Sequence, residues 1–129
     1  DIDHYSALIE IYYNQNQELG KKLLLKCINK LKDQKDDDHL AVSSRIFTSF
    51  GNNFPKEKIT ESLIIKSIEI KEMLSDKPGL ARSYGSLTRM YFEKEPTSTK
   101  ALESCNNWLL LNKELNDVFG IIMSKNYTL

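Results

Sequence analysis

His4 and His39, Cys27 and Cys105, and the run Asp36-Asp37-Asp38 are the side chains that could hold a metal or activate a nucleophile. The histidines stand far apart with no cysteine or acid at ligand spacing. The acidic run lacks the alternating ligands and distal glutamate of a calcium loop, so capping and dipole compensation account for it better. The cysteines lie within apolar helical patterns, where this residue behaves as a small buried hydrophobe. No glycine-rich phosphate loop, nucleophile elbow or paired acid and base is present, and the serines are scattered with no base in view. The expectation is a protein without catalytic residues, metal or cofactor. Lys22, Lys26 and Lys30 recur one helical turn apart, a stripe best read as a solvated face.

The elements that carry these residues follow from composition and periodicity. The chain has 129 residues, 40% of them hydrophobic, which is enough for one continuous core. Lysine plus arginine number 18 and aspartate plus glutamate 18, so no net charge draws the molecule to nucleic acid or an anionic membrane. No apolar run approaches the roughly 18 residues of a membrane span. The cysteine usage points to a reducing, cytoplasmic setting. The chain opens at Asp1 and closes at Leu129 within helical patterns, which suggests a segment of a longer protein.

Apolar positions recur at three- and four-residue steps throughout, which predicts an all-α fold with helices at 2–15, 18–34, 37–52, 57–75, 77–94, 98–115 and 118–129. Asp36, Asp76 and Asp117 are placed to cap helix starts, and Pro78 of DKPG suits a first turn. Gly51-Asn52-Asn53 before Pro55, and Pro96 with Thr97, Ser98 and Thr99, mark turns. The three aspartates stand 40 and 41 residues apart, and Leu40, Leu80 and Ile121 keep the same step, as do Ile28, Ile68 and Leu109. A period of this length predicts an α-solenoid of antiparallel helix pairs, about three repeats plus a terminal helix, in a single domain spanning 1–129.

Within the first helices an aromatic residue precedes a leucine, a small or branched residue and a tyrosine: Tyr5, Leu8, Ile9 and Tyr12, then Tyr84, Leu87, Thr88 and Tyr91. The second helices carry Gly20, Leu24 and Cys27; Thr60, Ile64 and Ser67; Ala101, Cys105 and Trp108. This pattern resembles the tetratricopeptide repeat over nearly the whole chain. The stretch Ile68 to Glu93 is similar to the longer variant, roughly 40 residues, of bacterial signalling proteins and kinesin light chains. The middle first helix departs from it, with Ser44, Phe47, Thr48 and Gly51, and Trp108 stands where a small residue is expected. The tryptophan is expected either to widen the packing or to enter a space left by Gly120.

The resemblance implies a concave face lined by Glu10, Tyr13 and Asn14, by Arg45, Ser49, Asn52 and Asn53, and by Arg82, Arg89, Phe92 and Glu93. Asparagine amides would pair with an extended backbone, arginine forks would hold carboxylates, and Tyr13 and Phe92 would offer flat apolar contact. The family's clamp of lysines and asparagines on a C-terminal carboxylate is not reproduced. The resulting expectation is a protein-interaction module that binds a peptide or helical segment of a partner. The alternative is a regulatory segment of a larger bacterial signalling protein. The expected core comprises Leu8, Tyr12, Leu24, Cys27, Phe47, Ile64, Ile68, Leu87, Tyr91, Ala101, Cys105 and Leu109. The last helix, with Ile121, Ile122 and Tyr127, is expected to support self-association.

Overall fold

Side-chain caps set where the helices begin. Asp36, Asp76 and Asp117 accept the backbone N–H of His39, Gly79 and Gly120 at 3.2, 3.0 and 2.9 Å. Asn16 and Ser98 do the same for Leu19 and Ala101. Each bond satisfies an amide that the first helical turn leaves without a partner.

The computed structural model describes residues 2–12 and 14–127. Tyr13 and Leu129, and the side chain of Tyr5, lie outside the described residues. The described chain is all-α, with α1 at Ile2–Tyr12, α2 at Gln17–Leu31, α3 at Asp37–Asn53, α4 at Thr60–Met73, α5 at Lys77–Lys94, α6 at Thr99–Glu114 and α7 at Val118–Lys125. Each helix packs on the next, and α3 also meets α5.

Several ends fall inside the expected spans. Gln15 turns left-handed, at φ 54°, just before the Asn16 cap, so the first helix does not run to 15. The start of α4 moves from 57 to Thr60, whose hydroxyl donates to the Phe54 carbonyl at 2.5 Å and ties down the turn after Pro55. The junctions from α4 to α5 and from α6 to α7 share one geometry. Ser75 and Asn116 adopt φ 55° and 54°, and the amides of Asp76 and Asp117 each donate to the carbonyl five residues back, of Lys71 and Asn112, at 2.9 Å. That bond closes the end of one helix while the aspartate side chain opens the next.

Buried Ala7, Ile11, Leu24, Cys27, Ile46, Phe50 and Leu63 form one core cluster, and Ile64, Ile68, Leu87 and Met90 form a second. Ala101 and Cys105 are buried in α6, while Leu8, Phe47, Tyr91 and Leu109 are half-buried. Tyr12 departs from the expected core: it is 62% exposed, and its neighbour Ile11 takes the buried place at 4%. The register is decided by Gly20, where an added Cβ would collide with the Ile11 side chain, so the two helices approach closely there. Trp108 is 7% exposed, and the space that admits it is left by Gly85 rather than Gly120: a Cβ at Gly85 would stand 2.9 Å from its ring. Gly51 likewise leaves room for Ile64. On α7, Val118, Phe119 and Ile122 are exposed, whereas Tyr127 packs on Phe92 and Trp108 with ring centroids 5.1 and 5.9 Å away. Among the described residues no helix is long and apolar enough to cross a membrane.

Candidate functional site

A junction of small hydroxyl side chains holds α3, α4 and α5 together. Ser67 on α4 lies 2.9 Å from both Thr48 on α3 and Ser83 on α5, and donates to the Ser44 carbonyl at 3.0 Å. These groups are buried or half-buried, and their mutual bonds offset the loss of water. Ser44 and Ser83 are the chain neighbours of Arg45 and Arg82. The junction therefore fixes the backbone on which two guanidinium side chains are mounted.

Two adjoining cavities open beside it. The smaller, about 260 Å³, is lined by His4, Arg45, Thr48, Ser49, Asn52, Lys71, Gly79 and Arg82. The larger, about 450 Å³, shares Thr48, Asn52 and Arg82 and continues past Arg89 to Trp108, Asn112, Phe119 and Met123. Asn52 joins them. Its carbonyl oxygen accepts Ser86 Oγ at 2.5 Å and an Arg89 guanidinium N–H at 3.0 Å, so its NH2 is the half left for a ligand.

Lys71 reaches the smaller cavity from α4 although it is only 5% exposed. Its stem runs under Gly79, where a Cβ would stand 2.6 Å from Cδ and 2.7 Å from Nζ. The ammonium is 3.4 Å from Asp76 Oδ2. Burial pulls the Lys71 pKa below its ordinary value against the attraction of Asp76, and Arg82 and Arg45 add to the lowering. The Gly79 amide, followed by Lys71, holds Asp76 below the usual carboxylate value. Among the described residues neither Arg45 nor Arg82 forms an ion pair.

His4 Nε2 lies 3.0 Å from Ser49 Oγ, so the structure supplies a base beside a serine that the sequence does not place there. Burial lowers the His4 pKa from its usual value, and Arg45 adds to the effect. Ser49 sits in the interior of α3, where neighbouring amides are committed to helical bonds and cannot form an oxyanion hole. The pair is a tie between α1 and α3. Among the described residues no group of three or more histidines, cysteines or acids could hold a metal. Cys27 and Cys105 are buried; Cys105 Sγ bonds the Ser124 carbonyl at 3.3 Å, and burial raises its pKa.

Of the residues expected at the groove, Arg45, Ser49, Asn52, Arg82 and Arg89 line these two cavities. Asn53 turns its amide onto the Ser49 carbonyl of its own helix at 2.8 Å. Phe92 packs edge-on against Tyr127, and Glu10, Asn14 and Glu93 line neither cavity. His4, Lys71, Trp108, Asn112 and Phe119 were not anticipated there. For Lys71 and Asn112 a signal exists, since they stand 41 residues apart, the same step as Asp76 and Asp117. Compared with protein-family models, curated proteins and solved structures, the chain finds no match.

Proposed function

We propose that the chain is a tetratricopeptide-like module of antiparallel helix pairs whose inner face binds a peptide or helical segment of a partner protein. The observation that carries this reading is the gathering of Arg45, Asn52, Arg82 and Arg89 around two adjoining cavities, one of them walled by Trp108 and Phe119. The Asn52 NH2 suits a peptide carbonyl, the guanidiniums suit carboxylates, and the rings suit an apolar side chain. The 41-residue recurrence of one junction geometry, at Ser75-Asp76 and Asn116-Asp117, supports the repeat reading. The burial of both cysteines supports a reducing, cytoplasmic setting.

Selection from a random peptide library, followed by affinity measurement, tests the groove. Selected peptides are expected to bind at least about tenfold more weakly, or about 1.4 kcal/mol, to Asn52→Ala and Arg82→Ala. Peptides indifferent to both changes would put the binding surface elsewhere. The exposed Val118 and Ile122, which line neither cavity, support a separate contact, self-association through α7. Sedimentation at rising concentration tests it: mass should grow, and a constant monomer mass contradicts it.

A further inference from the structure

The smaller cavity concentrates one sign of charge. Arg45, Lys71 and Arg82 all line it, together with His4, and no carboxylate is among its lining residues. Asp76 offsets Lys71 from the side, while its other oxygen already accepts the Gly79 amide. Like charges held this close repel one another, and the repulsion is relieved when an anion enters.

We propose that this cavity receives the phosphate monoester of a phosphorylated serine or threonine on the bound peptide, an inference that rests on the peptide-groove reading above. Of the three cations that line the cavity, Asp76 matches one, which leaves two positive charges. A carboxylate would balance only one of these, whereas a phosphate monoester near neutral pH carries up to two negative charges and three strong acceptor oxygens. Two guanidinium forks and an ammonium are the donors that such an oxyanion takes up best, and the Asn52 NH2 can reach the adjoining backbone. The junction of the Thr48, Ser67 and Ser83 hydroxyls with the Ser44 carbonyl holds α3, α4 and α5, so the backbone that carries the three cations is set before the ligand arrives. The shared wall at Asn52 and Arg82 lets the peptide continue into the larger cavity, where Trp108 and Phe119 meet a neighbouring side chain.

The test uses the full chain and three peptide libraries with the same degenerate flanks and a fixed central position: phosphoserine or phosphothreonine, the unmodified residue, or glutamate. Fluorescence polarisation should show the phosphorylated library binding at least about tenfold more tightly than either of the others. That advantage should vanish in Arg45→Gln combined with Arg82→Gln, and shrink in Lys71→Met, which keeps the buried stem and removes its charge. Lys22→Gln combined with Lys26→Gln, a charge change equal to that of the arginine pair but on the exposed stripe of α2, should leave it intact. Phenyl phosphate should compete, and inorganic phosphate more weakly. Equal binding of all three libraries, still sensitive to Asn52→Ala, would overturn the phosphate inference and leave the peptide groove standing. An advantage that persists in the double arginine variant would place the phosphate elsewhere. Failure of every library to bind would overturn both readings.

Discussion

Lys71 and Asn112 occupy the same place in two copies of one junction, and their fates differ. Each carbonyl accepts the amide of the capping aspartate that follows, and each side chain lies over the glycine of the next first turn. Lys71 finds a carboxylate at 3.4 Å and reaches the smaller cavity. Asn112 is buried at 2% exposure, and its Nδ2 has no hydrogen-bond partner among the described residues. The same backbone thus yields a paired charge in one junction and an unsatisfied amide in the other. Geometry is shared between the copies, while polarity is set locally by which side chain the position carries.

The largest test of that difference removes the caps. Asp117→Ala should cost about 1 kcal/mol, the usual value of a helix cap. Asp76→Ala should cost about 3 kcal/mol or more, because it also leaves the buried Lys71 ammonium without its counter-ion. Urea denaturation of both variants decides the matter, and Lys71→Met placed on Asp76→Ala should bring the cost back toward that of a cap alone. Equal losses for the two single variants would mean that the Lys71 pair adds nothing to stability.

Next in size, Asn112→Leu should stabilise the protein by about 1–2 kcal/mol, since it replaces a buried, unpartnered amide with an apolar group of similar volume. A destabilised variant would show that the amide is satisfied in solution, for instance by a water.

Acid should weaken the junction between α4 and α5. Asp76 titrates below its ordinary value in the folded chain, so it binds protons less readily there than when unfolded. Its contribution is fully present above the ordinary carboxylate range, and it is lost as pH falls through that range toward the lowered folded value. Asp76→Asn should therefore flatten the acid limb of a plot of stability against pH. An unchanged limb would assign the acid sensitivity to other carboxylates.

The smallest effect lies in the left-handed residues. Ser75 and Asn116 hold nearly the same positive φ, but asparagine tolerates that region better than serine. Ser75→Gly should gain up to about 1 kcal/mol, and Asn116→Gly only a few tenths. Equal gains in thermal melts would show that the side chain at this position does not matter.

How much of this could be read from the residues depended on how local each cause was. A capping aspartate acts within four residues, so Asp36, Asp76 and Asp117 were legible with their spacing. The first helix was not, because apolar residues at both Ile11 and Tyr12 allow two registers, and only the close approach at Gly20 chooses between them. Helix α3 departed from the resembled pattern with Ser44, Phe47, Thr48 and Gly51. In space, the Thr48 hydroxyl and the Ser44 carbonyl meet Ser67, Thr48 also reaches Ser83, and the absent Cβ of Gly51 makes room for Ile64. Arg45, Arg82 and Arg89, which line the two cavities, were among the residues that the resemblance pointed to. Lys71 and His4 were not, because a lysine on an amphipathic helix reads as solvated, and the contact between α1 and Ser49 spans 45 residues.

Trp108 gives the molecule its own optical reporter. It is the single tryptophan of the chain, it lines the larger cavity at 7% exposure, and Tyr127 stands 5.9 Å away. An occupant that excludes water from that cavity changes the polarity around the indole, so emission wavelength and quenching by iodide register occupancy without any attached dye. A ligand confined to the smaller cavity would touch none of the ring. Comparing emission with polarisation therefore distinguishes a guest that fills both chambers from one that stops at the arginines.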